Sequence, residues 1–418
     1  MLGRISTISA VLYRIWQERK RLHFVGLGVV GSFALLLVAC GGEDTPTPTS
    51  VPVQATPTAQ QPDSEREFEE LIAAAQEEGE FVISGGGTAR RLYGPVFEEF
   101  GEKYDINVTI GGGSGPKEAE RVIAEARAGV YAVDLMFGGV ANAQTVANEG
   151  LLAHIPDLFV LPEVADQSLY YEGQHWYGYL AGGVVGAPFL FSTRVEGADI
   201  AYNSDLVNPE EITSYFDLLD PKFRSLMVIT EVDHPSVLGG MARYYLQPEL
   251  GPKWMDPFVL ETDVTMVTDR DLIIDWLITG VKGLSMFHGT RMAESIKEAA
   301  AAGAPVGYIG RPLEEGAALR SVGSGMVMFA PGRAANPNAA KLMLNLWLSR
   351  EGQIAMQIAN PQFQSTRNDI PTDVVVPDSV RQPGIRYMYV EGDPQFGERR
   401  LETEDFARDL MTRWRAAR

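Results

Sequence analysis

The 418-residue chain carries 55 acidic against 35 basic side chains, a formal net charge of −20, which argues against nucleic acid or anionic lipid headgroups as its main partners. One cysteine rules out an intramolecular disulfide framework, so stability has to come from burial of the 45% of residues that are hydrophobic. The length predicts two folded domains once the polar and leader-like N-terminal stretch is set aside.

That stretch begins with a basic cluster, Arg19-Lys20-Arg21, ahead of an uncharged apolar segment over 24–39. The segment is short for a bilayer span, which takes about 20 apolar residues. It ends in Leu37-Val38-Ala39-Cys40. These four residues resemble the bacterial lipobox, in which the chain is cut ahead of the cysteine and the thiol is lipidated. The resemblance implies a lipoprotein signal peptide over 1–39 and acyl chains on Cys40 as the hold on the outer face of the bacterial cell membrane, extracellular or periplasmic. An uncleaved anchor helix with an incidental cysteine is the alternative, and it too puts the remainder outside the cytoplasm. Residues 40–63 hold five prolines and five threonines and almost no large apolar side chain, so they read as a tether. Extended at about 3 Å per residue, it reaches on the order of 60 Å.

The folded part opens at Ser64, three residues before Glu67 in capping-box spacing, with Phe68, Leu71, Ile72 and Ala75 at helical intervals up to Gly79. A strand over 80–84 runs into Gly85-Gly86-Gly87-Thr88, and a second helix follows with Val96, Phe97 and Phe100 on one face. The strand over 106–110 ends in Gly111-Gly112-Gly113-Ser114-Gly115. A helix then starts at Pro116 with Val122, Ile123 and Ala126 inward, and a third strand over 132–137 ends in Gly138-Gly139. Three successive β-α units predict a parallel sheet with helices on both faces.

Each strand ends in glycine or a small hydroxyl residue, at the carboxyl edge where open α/β sheets bind ligands. Bare backbone and helix-start N–H groups suit an anionic or strongly polar group, which nominates Ser84, Gly86, Thr88, Gly113, Ser114 and Gly139. An ordinary tight turn is the competing explanation for each. Nucleotide fingerprints fail on spacing: Pro116 and Arg90 stand where a third glycine is needed, and Lys117 follows proline rather than glycine. No H-E-x-x-H and no nucleophile elbow occur, so no catalytic role, cofactor or metal is assigned and the chain is not read as an enzyme.

An ordered series of motifs covers most of the folded region: Asp134-Leu135, Ala201-Tyr202-Asn203-Ser204-Asp205-Leu206, Phe216-Asp217-Leu218-Leu219-Asp220-Pro221-Lys222, Ala302-Gly303-Ala304-Pro305-Val306, Glu315-Gly316, Asn336-Pro337-Asn338-Ala339-Ala340-Lys341-Leu342, Leu348-Ser349-Arg350-Glu351-Gly352-Gln353 and Ser365-Thr366-Arg367-Asn368-Asp369-Ile370-Pro371. The series resembles the extracellular solute-binding proteins of ABC importers, in the branch that includes iron(III)-binding proteins. Read by themselves the motifs are packing signals, and the helix after Asn336-Pro337 is expected to break at Gly352. The resemblance implies an α/β, two-lobed type II periplasmic-binding-protein clamshell, each lobe a mixed, mostly parallel sheet flanked by helices. The expected division is 64–195 and a return segment 305–368 in lobe 1, 196–304 in lobe 2, and C-terminal helices over 369–418 packing on lobe 2. Crossovers are expected near 188–202 and 305–312.

The implied function is a monomeric, lipid-anchored receptor that captures a small polar or anionic solute between its lobes and delivers it to an ABC permease in the membrane. Iron-binding members present an adjacent tyrosine pair after a second-lobe strand, phenolates being hard donors for ferric iron. The corresponding stretch here is Gly283-Leu284-Ser285-Met286-Phe287-His288-Gly289-Thr290-Arg291, without tyrosine; Tyr170-Tyr171 and Tyr244-Tyr245 lie elsewhere. His288 and Arg291 stand in their place and suit a carboxylate or phosphonate. Arg311 and Glu315 flank the second crossover, as hinge lining or as a structural pair. Trp176, Tyr177 and Tyr179 are either a stacking cluster or core. A ferric-iron receptor, an exported enzyme and a sensory adaptor on the same scaffold remain as alternatives.

Overall fold

The computed structural model describes residues 63–112, 115–178, 180, 186–234, 237–287, 290–321, 326–328, 333–389 and 394–418. The expected signal peptide, Cys40, the tether up to residue 62, Gly113, Ser114, Tyr179 and His288 lie outside them; Asp63, expected as the tether's last residue, opens the first helix.

Helix α1 (Asp63–Glu78) buries Leu71 and Ala75, and the turn at Gly79 leads into strand β1 (Glu80–Ser84). Next come α2 (Gly86–Tyr104), β2 (Asn107–Gly111), α3 (Gly115–Arg127), β3 (Leu135–Phe137), α4 (Val140–Ala147) and the single turn α5 (Pro162–Ala165). β3 is three residues shorter than the strand expected over 132–137, and Asp134, directly before it, has its carboxylate held by backbone and an amide side chain. It accepts from Val82 N and Asn336 N at 2.8 Å each and from Asn336 Nδ2 at 2.9 Å. β1 pairs in parallel with β2 and β3.

Alternation along these strands divides the first lobe's core in two. Phe81, Ile83, Leu135 and Phe137 pack under α1 and α2, whereas Met136 and half-buried Val82 pack under Ala119 and Val122 of α3 and Val146 of α4.

The chain leaves through β4 (Ser192–Gly197) and enters β5 (Ile200–Asn203), β6 (Val228–Thr230), α6 (Leu238–Tyr245), α7 (Gly251–Leu260), β7 (Thr265–Val267), α8 (Arg270–Ile278), β8 (Leu284–Met286), α9 (Thr290–Ala301) and β9 (Val306–Ile309). β5 pairs antiparallel with β8 and β9, β6 pairs parallel with β7, and a parallel bridge from Met227 to Leu284 joins the two sets. Ile200, Ile229 and Met286 face α6 and α7; Ala201, Val228 and Val306 face α8 and α9.

The return runs through β10 (Ala317–Ser321), antiparallel to β4, and β11 (Met326–Met328), antiparallel to β3. The second crossover therefore falls at 317–321 rather than 305–312, because β9 still pairs with β5. Helices α10 (Pro337–Leu348) and α11 (Arg350–Ala359) close over α1 and α2. The break between them is at Ser349, not at Gly352: Ser349 has extended backbone and its hydroxyl accepts from Gly352 N at 3.1 Å. β12 (Gln364–Ser365) and β13 (Tyr387–Met388) flank the two crossover strands in the order β12-β4-β10-β13. Of the segment expected to pack as helices on the second lobe, 369–389 instead runs largely without helix along this sheet. The helix α12 (Pro394–Ala416) lies against α6 and α7.

Candidate functional site

The parallel register sets Ser84 beside both Gly111 and Met136, so the loops at Gly85, Gly112 and Gly138-Gly139 emerge side by side at one edge of the first lobe's sheet. The helices α2, α3 and α4 all begin there, with their first N–H groups at that edge. Gly86 opens α2 and Thr88 stands in its first turn; Gly139 is the residue before α4.

The glycines differ in what they do. A Cβ on Gly85 would come within 2.7 Å of Ala89 Cβ and 3.0 Å of Phe137 Cβ, so this glycine lets α2 seat on β3. A Cβ on Gly112 or Gly139 would meet nothing within 4 Å. Gly139 also has φ −79° and ψ 159°, a conformation open to any residue, so neither packing nor backbone geometry demands glycine there. What these two positions supply is bare backbone beside helix starts.

Ser84 is fully buried, and its hydroxyl donates to Glu118 Oε2 at 2.5 Å. Glu118, in the first turn of α3, also accepts from Arg121 Nη2 at 2.9 Å, and Arg121 Nη1 reaches Glu125 at 2.7 Å. Burial pushes the Glu118 carboxyl up, but the hydrogen bonds from Arg121 and Ser84, with the guanidinium charge, outweigh it and hold the group below the usual range. Glu118 went unnoticed in the sequence; its position three residues after Gly115, at a helix start beside the glycine loop, is the signal that marks it.

In the second lobe, β8 runs parallel to β6 and β7, so its carboxyl end lies at that sheet's carboxyl edge. Phe287 follows with φ +61°, a conformation a bulky residue rarely takes, held by its buried ring 5.2 Å from that of Tyr244 and 5.9 Å from that of Phe258. Arg291 is the second residue of α9, directly beyond this turn.

Neither tyrosine pair is free to chelate. Tyr170 is 1% exposed with its hydroxyl against the Val164 and Leu348 carbonyls, and burial pushes its phenol well up. Tyr171 is pushed up to about 12, chiefly by burial, and stacks on Trp176 at 5.4 Å. Tyr244 is fully buried, and Tyr245 donates to Glu402 at 2.5 Å. Trp176 and Tyr177 pack: the first donates to Tyr171 O at 2.7 Å, and the second lies 5.3 Å from the Phe189 ring. Arg311 and Glu315 do not pair with each other; Arg311 holds Pro209 O at 2.7 Å, and Glu315 accepts from Ser214 Oγ at 2.5 Å and Tyr215 N at 3.1 Å. Among the described residues no three His, Cys, Asp or Glu side chains group as a metal site, and no helix is long and apolar enough to cross a membrane.

No family model and no curated protein matches the chain. Solved structures do. The Bordetella ferric binding protein is similar over 79% of this chain and 98% of its own, at TM-score 0.56 and 18% identity. The Trichodesmium protein IdiA (FutA), in complex with iron and citrate, is similar over 79% of this chain and 99% of its own, at TM-score 0.55 and 17% identity. An ABC transporter protein from Clostridium perfringens is similar over 80% and 99%, at TM-score 0.55 and 14% identity. Identities this low speak for fold alone, and the fold is the two-lobed type II periplasmic-binding-protein clamshell.

Proposed function

We propose that the chain is a solute-binding receptor of an ABC importer, held on the outer face of the membrane by lipid on Cys40, which captures a small polar or anionic solute between its lobes without turning it over. The observation that carries this reading is the edge at which three glycine-bearing strand ends and three helix starts of the first lobe come together. Bare N–H groups there are pre-organised acceptor-binding donors. Arg291, at the corresponding edge of the second lobe, supplies a guanidinium for a carboxylate or phosphonate. Glu118 does not cancel this, because Arg121 and Ser84 already hold its charge.

Ferric iron is the second reading, favoured by the names of two of the similar structures. The tyrosine pairs weigh against it: Tyr170, Tyr244 and Tyr245 are buried, half-buried Tyr171 stacks on Trp176, and phenolate formation would cost that packing. A thermal-shift screen of the purified protein against organic acids, phosphonates, sugars, polyamines and ferric citrate separates the readings. Stabilisation by an iron-free anion or polar solute supports the proposal, a shift with the ferric complex alone replaces it with the iron reading, and turnover of any compound ends the transport reading. Arg291→Ala is expected to weaken an anionic solute by about 2 kcal/mol or more with little change in the stability of the unliganded protein. Calorimetry showing unchanged affinity would remove Arg291 from the site. Mass spectrometry of the membrane-bound protein tests the anchor: an acylated Cys40 as first residue is expected.

A further inference from the structure

Residues 176–178 and 188–190 of the first lobe form a short antiparallel ribbon. Tyr177 bridges Phe189, Gly178 N donates to Pro188 O at 2.8 Å, and Leu190 N donates to Trp176 O at 2.7 Å. From Leu190 the chain runs through Phe191, whose carbonyl accepts from Thr366 N at 2.9 Å, into the crossover strand β4 at Ser192. The opposite end of the ribbon rests on the start of α4. A Cβ on Gly178 would come within 2.8 Å of Val140 Cγ2, 3.0 Å of Pro188 Cγ and 3.1 Å of Pro188 Cδ. Val140 is the first residue of α4 and directly follows Gly139 of the candidate edge.

Gly178 is not one of the glycines with positive φ, so close approach is what calls for glycine there. Both surfaces it meets are stiff, a β-branched side chain and a closed proline ring. A change of size at this contact therefore passes to the first turn of α4, where Asn142 N and Ala143 N donate to Gly139 O at 2.9 and 3.1 Å. Helix-start N–H groups bind an acceptor only over a narrow range of distance and angle, so the placement of that turn decides what they can hold.

We propose that Gly178 and Val140 form a seat through which the crossover strand β4 positions the start of α4, which makes Gly178 a positioning residue for the solute edge. This rests on the reading of that edge as the solute site. The strand that joins the lobes thereby also fixes one wall of the edge.

Hydrogen exchange, and calorimetry with methylphosphonate and with iron-free citrate, test it on the full protein. Gly178→Ala crowds the seat and Val140→Ala empties it. Each alone is expected to speed exchange at Asn142 and Ala143 by about threefold or more, to leave exchange in β1 unchanged, and to weaken the anion by about threefold or more. The double variant swaps size across the contact and should return both quantities to within about twofold of the unaltered protein. Additive effects in the double variant, or unchanged exchange at Asn142 and Ala143 in Val140→Ala, overturn the seat, the latter even if Gly178→Ala fails to fold. Altered exchange with unchanged anion affinity marks a packing contact only and overturns the positioning role. If neither anion binds the unaltered protein, the solute reading of the edge falls and the role of Gly178 with it, while the exchange cycle separately decides the contact.

Discussion

Arg367 shows how a residue legible only as part of a family motif becomes the centre of a junction. Its side chain is fully buried: Nε and Nη2 grip the Asp369 carboxylate at 2.9 and 2.8 Å, Nη2 also reaches Glu163 at 3.1 Å, and Nη1 donates to the carbonyls of Glu163 and Leu348. The guanidinium is buried but both carboxylates keep some contact with water, so Arg367→Met, which removes their charged donor and that of two carbonyls, is expected to cost about 1.5–3 kcal/mol in urea denaturation. Burial pushes the Asp369 carboxyl up, but the hydrogen bond and charge of Arg367 prevail and hold it low. A depressed folded-state value means the contribution is present above the unfolded value near 4 and is lost as pH falls through the lower folded value. In Arg367→Met the largest influences that lower the Asp369 carboxyl are gone while burial, a backbone hydrogen bond and the Arg350 charge stay, so the loss of stability on acidification below about pH 5 should flatten. Stability measured between pH 3 and 6 checks the flattening, and parallel curves for the two proteins would exclude it. The sequence could not show this junction because Glu163 and Arg367 are 204 positions apart. Ser84 was legible only as a small hydroxyl residue at a strand end; its engagement with Glu118, 34 residues on, is set by the helix register of α3.

At the scale of elements, periodicity located the β-α units of the first lobe closely, while the ends of elements depended on contacts that sequence does not carry. The α10–α11 junction is one case. Glycine at 352 suggested a break there, yet Gly352 lies inside α11, because a Cβ at that position would stand 1.9 Å from Leu346 O. Glycine is needed for close approach of two helices. Gly352→Ala is expected to cost about 3 kcal/mol or more by urea denaturation, and a loss below 1 kcal/mol would show that the junction can open without penalty. Asn345 is another case, a polar residue on the inward face of α10. Its side chain accepts from Val160 N and Leu161 N at 2.8 and 3.1 Å, and donates to Leu158 O and Lys341 O at 2.8 and 2.9 Å. Every polar valence is satisfied, and the side chain ties the link between a 3-10 turn (Ile155–Leu158) and α5 to a longer helix. Asn345→Leu keeps the volume but orphans a buried and a half-buried N–H group and a buried carbonyl, an expected loss of about 3 kcal/mol. Hydrogen exchange at Val160 and Leu161 should accelerate in that variant before exchange in β1 does.

The whole molecule has its cores on either side of two antiparallel crossover strands, β4 and β10, so bending there leaves both cores packed. That arrangement is compatible with the proposed capture of a solute between the lobes, in which a ligand held by both would shift the equilibrium by its differential affinity. The motif series pointed to this plan, but not to where the chain returns: β9 reads like the start of a new unit, and only its pairing with β5 keeps it in the second lobe. The second lobe is also completed from far along the chain. From α12, Ala407, Leu410 and Met411 are fully buried in its core, Arg413 pairs with Asp256 at 2.8 Å, and Trp414 Nε1 donates to Val264 O at 3.3 Å. Burying two large apolar side chains contributes about 3–6 kcal/mol, a large part of the stability of a domain. Ending the chain at residue 393 should therefore unfold the second lobe selectively. Trp254 in that lobe and Trp347 in the first report separately when each is replaced by phenylalanine in turn, and the truncated chain should lose the Trp254 transition while keeping that of Trp347. A single cooperative transition at the original midpoint would show that α12 is dispensable and that the lobes do not rely on it.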